Sequence, residues 1–387
     1  MLLTYLAACG GDFGLDDAQG PGVEHVGDNG PPEPPDESDA FFAEGTLYDF
    51  HLSIPDASRT SLAAAPKTWV PATFSAEDQT WPVMLRLKGT TTFRPLSGKA
   101  AFKIDFHADD PDVRFHGLKR LTLNSMLQDS SMLHEHVAYW LFRHRGILAP
   151  RHTYARVDVD GTPYGLYGVV ETMDEQLLKR HFPDDHDGNL YEANLADFTE
   201  ADAPRFEVEE SGEEFEPVTD LAAVGATLDA ATPADWMDRL AEHFDVDMLL
   251  DTLAIDLVSG NVDGYSRLRN NYMAWHGSDG WRLVPWGFDQ SFQFHRSVNT
   301  WREFPGLITK RCGDSPECVE HLYTAIRDLM DDWQTSGLLT MAANAANLIQ
   351  ADCRADPRAE IACDVGHVMP FLLDRPDTVA EDLGDAP

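Results

Sequence analysis

The sequence predicts an α+β protein in two unlike parts, strand-rich over about 45–170 and mainly helical over about 171–373. Three observations carry that expectation. Apolar residues alternate with polar ones in much of 45–106 and again in 155–170, the period of a half-buried strand. Beyond 170 most recognisable segments read as helices. Set among them, two aromatic-rich runs at 271–275 and 281–286 flank His276-Gly277-Ser278-Asp279-Gly280, the pattern of a β-hairpin. With 387 residues, 43% of them hydrophobic, the chain can bury a large core as one two-lobed domain or two small ones.

Charge and the N-terminus set the next bounds. The net charge of -37 argues against nucleic-acid binding, which needs a basic surface. Leu6-Ala7-Ala8-Cys9 fits a lipoprotein signal with Cys9 as the lipidated residue, although the apolar run before it is short and lacks a basic start. Residues 10–44 are rich in Gly, Pro, Asp and Glu without periodicity and read as a disordered tether. The Asp12-Phe13-Gly14 triplet in it has no strand on either side and is set aside as a metal motif. No later run is long and apolar enough to span a membrane, so membrane contact is expected only through the lipid anchor.

In the first part, Tyr48, Phe50, Leu52 and Ile54 mark one strand and Val83, Leu85 and Leu87 another. A Thr/Ser/Gly loop at 89–98 leads into Phe102-Lys103-Ile104-Asp105-Phe106. Strand, small-residue loop and lysine-bearing strand could cover nucleotide phosphates, with Thr90, Thr91 or Thr92 in contact and Lys99 or Lys103 as the phosphate lysine. Asp129 reads as the N-cap of a helix carrying Met132, Leu133, Val137, Trp140 and Leu141 on one face, with Glu135 off it. His134-Glu135-His136 is not HExxH, since Ala138 stands where the second histidine belongs, and a metalloprotease is excluded. Residues 155–159, an Asp160-Gly161 turn and the run at 166–170 form a hairpin ending at Glu171.

In the second part, helices are expected at 174–181, 233–242, 247–258, 316–330 and 338–351, with an acidic strand or loop at 204–217 and a frayed tail from 374. Cys312, Cys318, Cys353 and Cys363 are even in number, which in an exported chain suggests two disulfides. The local pairs Cys312–Cys318 and Cys353–Cys363 are preferred to cross-pairing, and to a zinc site because neither spacing is CxxC.

The hairpin brings its outer ends together, placing Asp263, Asn270 and Asn271 near Asp289. Phosphoryl transfer uses one carboxylate at the acceptor hydroxyl, and a second with an amide to hold Mg²⁺ on the phosphates. The order Asp263, Asn270 or Asn271, hairpin, Asp289 matches the order of those parts in protein kinases.

The stretches L-R-L-K-G-T-T-T-F, K-A-A-F-K-I-D-F, L-T-L-N-S-M-L-Q-D-S-S-M-L-H-E, Y-G-L-Y-G-V-V-E, G-N-V-D-G and V-P-W-G-F-D-Q-S-F occur in that order and together resemble the CotH family of secreted atypical kinases. The resemblance runs over about 85–294. It implies a two-lobed protein-kinase-like fold with a strand-rich N-lobe (about 45–170) and a mainly helical C-lobe (about 171–373). It further implies an exported kinase, a cell-envelope lipoprotein or secreted protein, using ATP with Mg²⁺ or Mn²⁺ on Ser/Thr hydroxyls of protein substrates. By resemblance Asp263 is the catalytic carboxylate and Asp289 with Asn270 or Asn271 the metal ligands. Lys103 is favoured over Lys99 for phosphate, oriented by Glu135, and Arg86, Thr91 and Glu171 complete the nucleotide contacts. Many members carry an acid where this chain has Gly287, a departure that leaves a non-catalytic adhesin on the same fold as the alternative, beside a kinase of glycans or small molecules.

Overall fold

The computed structural model describes residues 37–212 and 215–384. Cys9 and most of the expected tether lie outside them.

The strand-rich part closes on itself. Strands β1 (Leu47–Ser53), β2 (Val70–Ala76), β3 (Gln79–Lys88), β4 (Ala101–Asp105), β5 (Arg120–Asn124), β6 (His152–Val159) and β7 (Thr162–Glu171) form a closed barrel in the order β1-β2-β3-β4-β5-β7-β6. The closing seam is parallel, β1 on β6, with Phe50 opposite Val157. The alternation in the sequence is the in/out alternation of this barrel: Phe50, Phe74, Leu85, Leu87, Phe102, Ile104 and Leu121 fill one core. Phe115, from the loop between β4 and β5, packs edge-on against Phe41, Phe50, Phe74 and Trp81. The hairpin turn at Asp160-Gly161 is as expected, both residues having the positive φ that a tight hairpin needs.

Three differences from the sequence reading stand out here. The folded part begins by α1 (Glu37–Phe41), with Phe41 buried in the barrel core, so the tether is shorter than 10–44. A helix, α2 (Asp56–Ala64), interrupts the region read as mainly strand. The next helix, α3 (His134–His144), starts after Asp129 rather than on it. Asp129 instead braces the preceding turn, accepting from Ser131 N and Ser131 Oγ with one oxygen and from His134 N with the other.

The second part is helical around a small sheet. Helices α4 (Glu175–His181), α5 (Thr219–Ala230), α6 (Trp236–Ala241) and α7 (Val246–Val258) precede the short α8 (Tyr265–Leu268). After the hairpin come α9 (Leu307–Asp314), α10 (Pro316–Trp333), α11 (Leu338–Ala355) and α12 (Val368–Leu383). Strands β8 (Asn189–Glu192) and β9 (Glu207–Glu210) join the hairpin strands β10 (Tyr272–Gly277) and β11 (Gly280–Pro285) in the order β11-β10-β8-β9. The hairpin is thus the edge of a four-stranded sheet, and the acidic stretch read as surface strand or loop supplies β9. Residues 374–383 are helical, not frayed: Arg375 is fully buried and donates to the Val258 and Leu257 carbonyls at the end of α7. Both local disulfides are present, Cys312–Cys318 and Cys353–Cys363. Among the described residues no helix is long and apolar enough to cross a membrane.

Candidate active site

Helix α7 delivers the chain to the first acidic loop. Its C-terminal turn ends with Gly260 at positive φ, the left-handed position that closes helices. Asp256 on the last turn then holds the loop, accepting from Asn261 Nδ2 at 2.9 Å and Ser266 N at 3.2 Å. Asn261 Oδ1 in turn accepts from Asp263 N at 3.1 Å. Gly264 has no room for a side chain, since a Cβ there would lie 2.3 Å from Asp256 Oδ1. Sequence reasoning missed Asp256; its only signal is a carboxylate within the apolar run that ends α7.

Asp263 is buried and ringed by amides. It accepts from Asn270 Nδ2 at 3.1 Å, Asn271 Nδ2 at 2.9 Å and Gln290 Nε2 at 3.3 Å. Asn271 Nδ2 also donates to the Gly287 carbonyl at 3.1 Å, tying the two ends of the β10–β11 hairpin together. With both amide nitrogens facing acceptors, the oxygens are assigned by elimination. Asn271 Oδ1 accepts from Asn270 Nδ2, while Asn270 Oδ1 is buried and has no hydrogen-bond partner among the described residues. That orphaned oxygen separates the two asparagines, which the sequence could not.

Asp289 follows on a short 3-10 turn, also buried. Burial pushes its carboxyl well above the usual carboxylate range, and the charges of Glu135, Asp263 and Asp129 push it further, against the pull of Lys88. Glu135, on α3, is raised for the same first reason, burial, with Lys88 the largest opposing influence. Glu135 is held in place from two sides: Tyr139 OH donates to Oε1 at 2.9 Å and Asn124 Nδ2 donates to Oε2. Gly287 N donates to Tyr139 OH at 3.1 Å, so one phenol links Glu135 to the Asp289 loop. Tyr139 was not foreseen, although it stands one helical turn from Glu135.

The lysine whose charge acts on both Glu135 and Asp289 is Lys88, a residue not singled out from the sequence. Leu85 and Leu87 point into the barrel, so Arg86 and Lys88 point out of it, and Lys88 Nζ lies over the Trp286 ring at 5.3 Å. Lys103 stands beside Arg86 on the same outer face, buried, with Glu209 and Glu192 as its neighbouring acids. Burial holds the Lys103 ammonium well below the usual lysine range. Glu192, on β8, is raised well above its usual range by burial and by Glu209, with Lys103 and Lys88 acting the other way.

Two candidates are placed elsewhere. Lys99 is fully engaged by Asp356, at 2.7 Å, with its ammonium over the Tyr167 ring, away from the acidic loops. Glu171 is buried in a bidentate pair with Arg151 and a second pair with Arg180, which leaves it a structural anion rather than a ribose contact. Arg86 is buried against Trp69, and Thr91 is exposed in the loop after β3.

The site thus gathers Asp263, Asn270, Asn271, Asp289, Glu135 and Lys88 from the loops on either side of α8, the 3-10 turn after β11, α3 and β3. Its donors toward a cation are oxygens: carboxylates and an amide carbonyl. That set suits a hard ion such as Mg²⁺, and the raised Asp289 carboxyl marks a place where negative charge is crowded. A family model described as CotH kinase protein matches residues 85–347. The chain is also 25% identical over 207 residues to the inner spore coat protein H of Bacillus subtilis (strain 168), covering 50% of this chain and 55% of that protein. It therefore spans about half the length of that curated relative.

Proposed function

The chain belongs to the CotH kinase protein family, and on that premise we propose that it transfers the ATP γ-phosphoryl group to Ser/Thr hydroxyls of extracytoplasmic proteins. The observation that carries the reading is the convergence of Asp263 and Asp289 through Asn271 and Gln290, at the base of one hairpin. Asp289 and Asn270 Oδ1 would hold Mg²⁺, which when bound offsets the charge of the nucleotide phosphates. Asp263, its oxygens aimed by three amides, orients the acceptor hydroxyl and takes its proton. Lys88 meets phosphate oxygens from the barrel side, where its charge also acts on Glu135, the helix glutamate held by Tyr139 and Asn124. The barrel and the helical part would correspond to the two lobes, with the outer face of β3 and β4 turned toward the nucleotide. Two disulfides fit an oxidising compartment, and the relative named for a spore coat supports an exported setting.

The test is transfer of label from [γ-³²P]ATP by purified protein with Mg²⁺ or Mn²⁺. Asp263→Asn is expected to lose roughly 10²–10⁴-fold in transfer, and Asp289→Ala to lose metal-dependent transfer altogether. Circular dichroism checks the fold, because Asp263 is a buried acceptor of amides and its removal leaves donors unpaired. A wild-type chain showing neither transfer nor a Mg²⁺-dependent ATP thermal shift would favour the non-catalytic adhesin.

A further inference from the structure

Behind the Asp289 loop lies a second cluster that phosphoryl transfer does not use. His134, the first residue of α3, is fully buried, and its Nδ1 lies 2.6 Å from the Asp289 carbonyl oxygen. A carbonyl can only accept, so this nitrogen carries a ring proton, and in the neutral tautomer Nε2 is left with a lone pair. His367, in the loop before α12, repeats the pattern: its Nδ1 lies 3.1 Å from the Asp364 carbonyl oxygen and 3.3 Å from Ser130 Oγ. The two Nε2 atoms face each other at 2.9 Å, and Asp129 Oδ1 lies 3.4 Å from His134 Nε2. One ligand atom from each of the three residues falls within a 4.8 Å span. Two lone pairs and a carboxylate oxygen gathered so closely call for a cation among them.

We propose that Asp129, His134 and His367 hold one Zn²⁺ through a carboxylate oxygen and two imidazole Nε2 atoms, with water as the fourth ligand. Donors at about 2.0–2.2 Å from a tetrahedral zinc stand roughly 3.3 Å apart, between the 2.9 Å of the two Nε2 atoms and the 3.4 Å from Asp129 Oδ1 to His134 Nε2. Two imidazoles select a borderline metal over Mg²⁺, which takes oxygen. Both rings rest their other N–H on a backbone carbonyl, the support that metal-bound histidines have. The fold brings the ligands together independently of any metal: the Cys353–Cys363 disulfide pins the loop, and Asp364 N donates to Ser130 O at 2.8 Å. A zinc there joins α12 to the start of α3. Through His134 Nδ1 it also steadies the backbone of Asp289, so His134 and His367 are positioning residues for the phosphoryl-transfer site.

The proposal stands apart from the kinase reading because Asp289 contributes only its backbone. The experiment is metal analysis of the full chain by inductively coupled plasma mass spectrometry, after incubation with Zn²⁺ and removal of free metal by gel filtration. Wild type and Asp289→Ala should each retain about one zinc, whereas His367→Gln should retain less than a tenth of that. His367 is half-buried at the surface of the cluster, so the variant should fold, as circular dichroism would verify. Co²⁺ loaded in place of zinc should give the strong visible bands of a four-coordinate site in wild type and lose them in His367→Gln. Folded wild-type protein without retained zinc, or equal zinc in wild type and His367→Gln, overturns the proposal. Zinc retained by Asp289→Ala that no longer responds to Mg²⁺-ATP separates this site from the nucleotide site.

Discussion

Asp289 is a carboxylate placed where folding alone would not choose to put one. Burial and three neighbouring acids all favour its neutral form. Function and stability should therefore part company at this position. Asp289→Asn is expected to raise the melting temperature of metal-free protein by roughly 1–4 °C while abolishing the further rise with Mg²⁺-ATP, both read by differential scanning calorimetry. Lys88 and Lys103 offer a second contrast at the same scale. The charge of Lys88 acts on Glu135 and Asp289, whereas Lys103 is influenced by Glu209 and Glu192. Lys88→Met should lower kcat/KM for ATP roughly ten-fold more than Lys103→Met. Equal losses would return the phosphate role to Lys103. The sequence favoured Lys103 because it sits inside a strand, but strand membership says nothing about which lysine's charge reaches a helix glutamate.

Among the elements, the hairpin was the most legible. Its strands, turn and closing asparagine were all in the aromatic-rich pattern, and β10 and β11 differ from the expected runs only at their ends. What the pattern could not carry was the partner sheet, because β8 and β9 are four residues each and lie far from the hairpin in the chain. The departure at Gly287 also gains a physical reason. Gly287 has φ +61°, and a Cβ there would lie 2.8 Å from Asn271 Cγ, the side chain that clamps Asp263. Gly287→Asp should cost about 1–3 kcal/mol, measured as a lowered denaturation midpoint, and should weaken transfer by displacing Asn271. If the variant is as stable as wild type, Asn271 has room to move and the clamp is looser than its hydrogen bonds imply. Asp129 shows the opposite lesson: the right residue type near the right helix was read as its cap, when its oxygens brace the turn before it.

For the whole molecule, the α+β division and most long helices were legible from periodicity, and the barrel was not. Alternation identifies strands and their inner faces, but closure depends on β1 meeting β6, a pairing between segments that share no local signal. The acidic composition, by contrast, has a consequence for pH. Burial raises the Glu209 carboxyl to about 8 and the Glu210 carboxyl to about 7, against a usual 4.5. Each holds its proton more tightly folded than unfolded, so its contribution is full below the unfolded value and is lost as pH climbs through the folded one. Through these two groups metal-free protein should lose stability from about pH 5 to about pH 8, so the melting temperature of Glu209→Gln relative to wild type should be higher at pH 8 than at pH 5. A difference between Glu209→Gln and wild type that does not change with pH across this window would contradict the assignment.

The parallel seam between β1 and β6 also sets an order of assembly. A chain made or threaded from its N-terminus presents residues 47–53 early, yet their partner at 152–159 and the enclosing β7 come much later. Until then the first strand keeps an open flank and Phe50 lacks its final neighbours. Any chaperone that meets the unfinished chain would find an adhesive stretch there, waiting.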